Sequence, residues 1–254
     1  DHLWKDTNFA AETVLETKHL NQKDFITIPS AELHCIGKKY VKDGLWHIVA
    51  NGLPLDFKCA DEKETAPRLV QRAIEAGAFV TIAHPEWYSL TFDECLSLSH
   101  AHGIEIYNHS CHIEAQRGFG TAAADYLLQE NNRIFLTATD DSHFKMQDSG
   151  GGWVMVAADK LSESSILNAL KNGQYYSSTG VEIFEFEINN YQVNIQCSPS
   201  NQVCVVGQGA KSMSQNGKNI TQAEFDLKKY PSDWFRVSIA NDSGDFAWTN
   251  PVWL

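Results

Sequence analysis

IFLTATDDSHF, residues 134–144, sets an apolar run directly against two carboxylates and an imidazole. Ile134-Phe135-Leu136 reads as a strand buried in a sheet, and the chain then drops into Asp140-Asp141-Ser142-His143. In an extended segment residues two apart project to one side. Asp141 and His143 would then face one pocket, with Ser142 turned away. The plain alternative for Asp140-Asp141-Ser142 is a turn or a helix cap.

Working outward, the same alternation recurs. Phe25–Pro29, Trp46–Ala50, Phe79–Ile82, Ile104–Tyr107, Ile134–Thr139 and Trp153–Val156 read as strands, rich in Ile, Val and aromatic residues. Between them, 63–77, 91–101, 121–129 and 162–172 carry helical spacing. Thr91 is placed as an N-cap, with Glu94 at its capping-box position. Strands alternating with helices at this spacing imply βαβ units and a parallel sheet or barrel. After Gly180 the texture changes to strand-like runs at 182–188, 191–197, 203–207 and 234–240. The expected organisation is a metal-binding domain over 1–180 and a small antiparallel β domain over 181–254.

Polar residues of metal-ligand type fall at the ends of the expected strands. His84 follows FVTIA, Asn108 follows IEIY, and Asp141 and His143 follow IFLTAT. His47 opens HIVANG, and Glu32 lies in FITIPSAELH. Active sites of parallel α/β barrels lie at the carboxyl ends of strands. A single His after a strand is ordinarily a hydrogen-bonded structural residue; several strand ends carrying the same chemistry point to a metal site. Carboxylates with imidazoles form an N/O donor set that suits Zn, Mn or Fe better than Ca. His34, two residues from Glu32, can face the same way, and His109 and His112 flank a loop that borders the pocket. His19, His100 and His102 read as structural or surface residues. Cys35 and Cys111 lack the basic neighbours of a nucleophile.

Composition bounds the rest. The chain has 254 residues, 43% hydrophobic and 20% charged, the balance of an ordinary globular protein. A formal net charge of −12 argues against nucleic acid or an anionic membrane as the main partner. A phosphorylated small-molecule substrate remains compatible, because bound metals invert the local field. Six scattered cysteines without a CxxC pair read as reduced thiols of a cytoplasmic protein. No signal peptide is read in residues 1–254, which is weak evidence of compartment, and no apolar run approaches the ~20 residues of a membrane span. The sequence opens Asp1-His2-Leu3 without Met, so a start further upstream is expected. A homo-oligomer is compatible with all of this.

The order DH…E…H…HP…N…DSH resembles the PHP superfamily, named for polymerase and histidinol phosphatase domains. GQYYSSTGVEIFEFEI (173–188) and AWTNPVWL (247–254) are similar to the tail of its bacterial carbaryl-hydrolase-like branch, which also contains predicted metal-dependent phosphoesterases. The resemblance covers nearly the whole chain. It implies a distorted seven-stranded β/α barrel, TIM-like, with a C-terminal antiparallel β appendage and up to three divalent metals. On this resemblance Glu32 bridges two metals, His47 and His84 complete one of those sites, and Asp141 binds the other bridged metal. His2 and His143 serve a third, and Asp1 is a neighbouring acid. Asp141 and His143 are then the candidate catalytic pair, with Asn108 and Arg117 as substrate contacts. The superfamily's opening HxH motif is missing, so the barrel is expected to be N-terminally incomplete and the Asp141 and His2–His143 sites short of ligands. The triplet His100-Ala101-His102 falls in an expected helix instead.

The function implied is metal-assisted hydrolysis: a hydroxide acidified between two metals attacks phosphorus or a carbonyl carbon. Phosphate esters come first, because clustered cations suit phosphate charge. One rival is a carbamate, ester or amide hydrolase using the same metals. Another is a non-catalytic binding protein, which the absent HxH favours.

Overall fold

The computed structural model describes residues 2–4, 10–11, 13–38, 44–130 and 132–254. Asp1 lies outside the described residues. The chain opens with β1 (His2–Leu3), β2 (Ala10–Ala11), a 3-10 turn at Lys18–Leu20, β3 (Ser30–Ile36) and β4 (Leu45–Asn51). It continues through α1 (Ala66–Glu75), β5 (Phe79–Ile82), α2 (Phe92–Ser97), β6 (Gly103–Asn108), α3 (His109–Ala115), α4 (Thr121–Gln129) and β7 (Phe135–Thr139). Beyond these lie β8 (Trp153–Val156), α5 (Glu163–Lys171), β9 (Tyr175–Ser178), β10 (Ile183–Asn189) and β11 (Gln192–Gly207). The remaining strands are β12 (Ser212–Asp226), β13 (Trp234–Ala240), β14 (Phe246–Thr249) and β15 (Val252–Trp253).

The expected β/α barrel is not what these elements build. The first sheet is a seven-stranded path in the order β2-β1-β3-β4-β5-β6-β7. β4 runs antiparallel to both its neighbours, whereas every other pair in this sheet is parallel. Among the described residues, only β5-α2-β6 and β6-α3-α4-β7 are βαβ crossovers. Closure would require the outer edge of β7 to pair with β2. That edge is already taken: the Leu136 N–H donates to Asn250 Oδ1 (2.8 Å), and the Leu136 carbonyl accepts from Ser177 Oγ (2.9 Å). Side chains of the second half of the chain cap the strand, and the sheet stays open.

The second sheet is eight-stranded, ordered β10-β11-β13-β14-β9-β8, with β12 added on β11 and β15 on β13. Each of its strand pairs is antiparallel. It recruits β8 and β9 from before residue 180. Three packed clusters follow. One lies around the first sheet, from Leu3 to Ala138, and draws in Trp234 and Trp248; one lines the second sheet; Phe79, Leu170 and Tyr175 join the two. Arg236, 3% exposed, makes a bidentate pair with Asp125 of α4 across the same junction, both contacts 2.9 Å.

Local chemistry explains where elements start. Thr91 and Glu94 close the expected capping box, with Glu94 N donating to Thr91 Oγ1 and Thr91 N donating to Glu94 Oε2. Ser162 caps α5 by accepting from Ser165 N. The strand expected at Phe25–Pro29 does not form, because Thr27 spends its N–H and hydroxyl on Asn21 and the Thr17 carbonyl. The strand lies later, at β3. All six cysteines are free thiols. Among the described residues no helix is long and apolar enough to cross a membrane.

Candidate metal centre

Register places the donors. Glu32 and His34 sit two apart on β3 and share a face, while Leu33 and Cys35 turn into the core. His2 of β1 pairs directly with Glu32, and His47 of β4 pairs directly with His34, so all four point to the same side. Because β4 is the reversed strand, His47, near its start, lies at the edge where the parallel strands end. His84 leaves β5 two residues past Ile82, and Asp141 and His143 follow β7. Ligands of open α/β sheets gather at that edge. Glu32 and His47 therefore reach the site from within their strands rather than from strand ends.

The result is a carboxylate ringed by imidazoles. Glu32 Oε1 lies 2.6 Å from His47 Nδ1 and 3.2 Å from His84 Nε2, and its Oε2 lies 3.1 Å from His2 Nδ1. His2 Nδ1 is also 2.7 Å from His34 Nε2, and His2 Nε2 is 3.2 Å from His143 Nε2. Two groups, Glu32–His47–His84 and His2–Glu32–His34, have donor atoms close enough together to hold a metal ion. His2, Glu32, His47, His84, Asp141 and His143 all line one cavity of about 210 Å³. Two other expected site residues lie outside its wall. Asn108 is fully buried; its amide donates to Glu105 Oε2 and Asp141 Oδ2, and its Oδ1 caps α3 by accepting from Cys111 N. Arg117 is exposed, and among the described residues its side chain reaches only the Trp87 carbonyl, at 3.5 Å.

The opening tetrad divides its labour. Asp140 does not face the cavity; its carboxylate accepts the N–H groups of Gly150, Gly151 and Gly152. Ser142 donates to Asp148, which also accepts from the N–H groups of His143 and Phe144. The segment is not extended, since Asp141 has φ 51°; His84 has φ 21°. Two candidate ligands thus lie on left-handed backbone, where non-glycine residues cost on the order of 1 kcal/mol and cluster at functional sites.

Electrostatics follow from crowding. Burial pushes the Glu32 carboxyl up, but hydrogen bonds from His47 and His84 outweigh it and hold it well below the usual range. Burial would pull His84 down; its bond to Glu32, with the charges of Glu32, Glu105 and Asp141, raises it to about 9. Burial pulls His34 down to about 3 and lowers His2. Burial and the charge of Glu32 raise Asp141. Glu105 escaped the sequence reading, hidden inside the apolar run IEIY. It is 4% exposed, accepts from His84 N (2.6 Å), and is pushed up to about 7 chiefly by burial. A lone charge on a fully buried strand was the available signal.

The residues fit a divalent metal. The set offers carboxylate oxygens and imidazole nitrogens, and His84 Nδ1 is buried with no hydrogen-bond partner among the described residues. Comparison with protein-family models and with curated proteins gives no match for this chain.

Proposed function

We propose that the chain is a metal-dependent hydrolase whose first-choice substrate is a phosphate ester. The observation that carries this reading is Glu32 with imidazoles on both of its oxygens, in a cavity that Asp141 and His143 also line. Zn, Mn or Fe suits that donor set. Glu32, His47 and His84 would hold one ion, with His2, Asp141 and His143 serving further ions. A metal there supplies Lewis-acid activation of water and of the scissile ester. The chain's own residues do the rest. Asn108 holds Asp141 in place, and the Glu105 carboxylate fixes the backbone at His84. Lys145 is the one Lys or Arg among the described residues of the wall, and on this reading it would contact a phosphate oxygen. The order DH…E…H…HP…DSH supports the same chemistry by its resemblance to PHP enzymes.

Trp87 and Met146 also line the cavity, and this apolar wall favours a second reading, hydrolysis of an aryl carbamate, ester or amide. Aryl phosphate monoesters and diesters, aryl esters and aryl carbamates, assayed with Mn²⁺ or Zn²⁺, separate the two. The expected result is phosphate release that needs metal and is lost in Glu32→Gln. Carbamate or ester turnover without phosphate release would transfer the assignment to the second reading. Stoichiometric metal without turnover of any of them would overturn the hydrolase.

A further inference from the structure

His34 belongs to one of the two donor groups, His2–Glu32–His34, yet its geometry does not suit a metal ligand. It is 3% exposed, yet it does not line the cavity; it stands behind His2. Its two nitrogens have different partners. Nδ1 lies 3.1 Å from the Trp46 carbonyl, which can only accept, so Nδ1 carries the proton. Nε2 is then a bare lone pair, and it lies 2.7 Å from His2 Nδ1. Two ring nitrogens sharing one ion at Zn–N bond lengths would have to subtend roughly 80° at that distance, far from tetrahedral. The same distance is ordinary for N–H···N, so His2 Nδ1–H donates to His34. Glu32 Oε2, 3.1 Å away, accepts a share of the same proton.

The consequence falls on the other side of the His2 ring. With the proton on Nδ1, His2 Nε2 is a lone pair directed at His143 Nε2, 3.2 Å away. His143 is fixed likewise, because its Nδ1 donates to the Asp141 carbonyl at 2.8 Å. Two lone pairs face each other with no proton between them. Their separation is close to the ~3.3 Å spanned by two imidazoles on one tetrahedral ion. We propose that His34 is a positioning residue, anchored on the Trp46 carbonyl, that holds His2 in the tautomer presenting Nε2 with His143 to a shared divalent cation. The assignment rests on the metal-hydrolase reading and adds to it a residue that touches neither metal nor substrate. Partners of this kind typically account for about 10–100-fold in metal affinity.

The test uses the full chain, ¹⁵N-labelled and metal-free, with the His2 ring signals identified by their loss in His2→Ala. Two-bond ¹H–¹⁵N correlation should show His2 protonated at Nδ1. Zn²⁺ titration should show one class of site weakened about 10–100-fold in His34→Leu. In His34→Gln, whose side-chain oxygen can still accept from His2, affinity should stay within about threefold of wild type. A wild-type His2 protonated at Nε2 overturns the proposal without any variant having to fold. Unchanged Zn²⁺ binding in His34→Leu overturns it while leaving the hydrolase reading standing. A wild-type chain that binds no Zn²⁺ overturns the hydrolase reading, and with it the ligand role of the pair.

Discussion

Asp141 carries several costs at once. It lies at φ 51°, burial and the Glu32 charge oppose its ionisation, and its one amide donor is Asn108 at 3.1 Å. Asn in its place keeps an acceptor for Asn108, tolerates left-handed backbone and removes the repulsion. Asp141→Asn should therefore leave the metal-free protein as stable as wild type, or more stable by on the order of 1 kcal/mol. Metal content should fall at the same time. Urea denaturation of the metal-free protein beside elemental analysis checks both halves, and a destabilised variant with full metal content would contradict the account. Such a split between stability and binding marks a residue kept for chemistry. Asp140, one position earlier, should behave oppositely, because its carboxylate serves the three glycine N–H groups of 150–152.

Among the elements, β7 connects the two sheets. Asn250 is 8% exposed; it accepts from Leu136 N and donates to the carbonyls of Gly173 and Tyr175, both at 3.0 Å. Asn250→Ala strands three backbone groups and should cost about 3 kcal/mol, read as a lower urea midpoint with an unchanged slope. Much at this scale was legible in the sequence. Thr91 and Glu94 announced a helix start, and FVTI and IFLTAT announced buried strands with ligand-type residues beyond them. Strand direction was not legible: an apolar run looks alike whichever way it points, so the reversal of β4 was hidden and a barrel was expected. β12 was hidden for another reason. SMSQNGKNITQ is polar and mostly exposed, and backbone pairing to β11 holds it in place rather than an apolar face. The helix α3, expected as a loop, is begun by the Asn108 side chain, whose capping role its place after a strand disguised.

For the molecule as a whole, His102 is a source of acid sensitivity that lies apart from the metal centre. His102 Nδ1 accepts the Val80 N–H at 3.0 Å, and burial, with the charge of Lys171, lowers its pKa from 6.5. The unfolded chain therefore takes up this proton more readily than the folded one. The stability from His102 is complete above about pH 6.5 and is lost as pH falls through the folded value below it. Denaturation midpoints at pH 7.5 and pH 5.5 should converge in His102→Asn relative to wild type; an equal acid loss in the variant would refute the assignment. The capped edge of β7 has a different consequence, one of timing. Leu136 and the residue that satisfies its N–H are 114 positions apart. During synthesis the strand leading to Asp141 and His143 must wait, one edge open, until Asn250 has emerged. Binding competence should therefore arrive all at once, when Asn250 docks, and until then the growing chain offers β7 to whatever strand or chaperone meets it first.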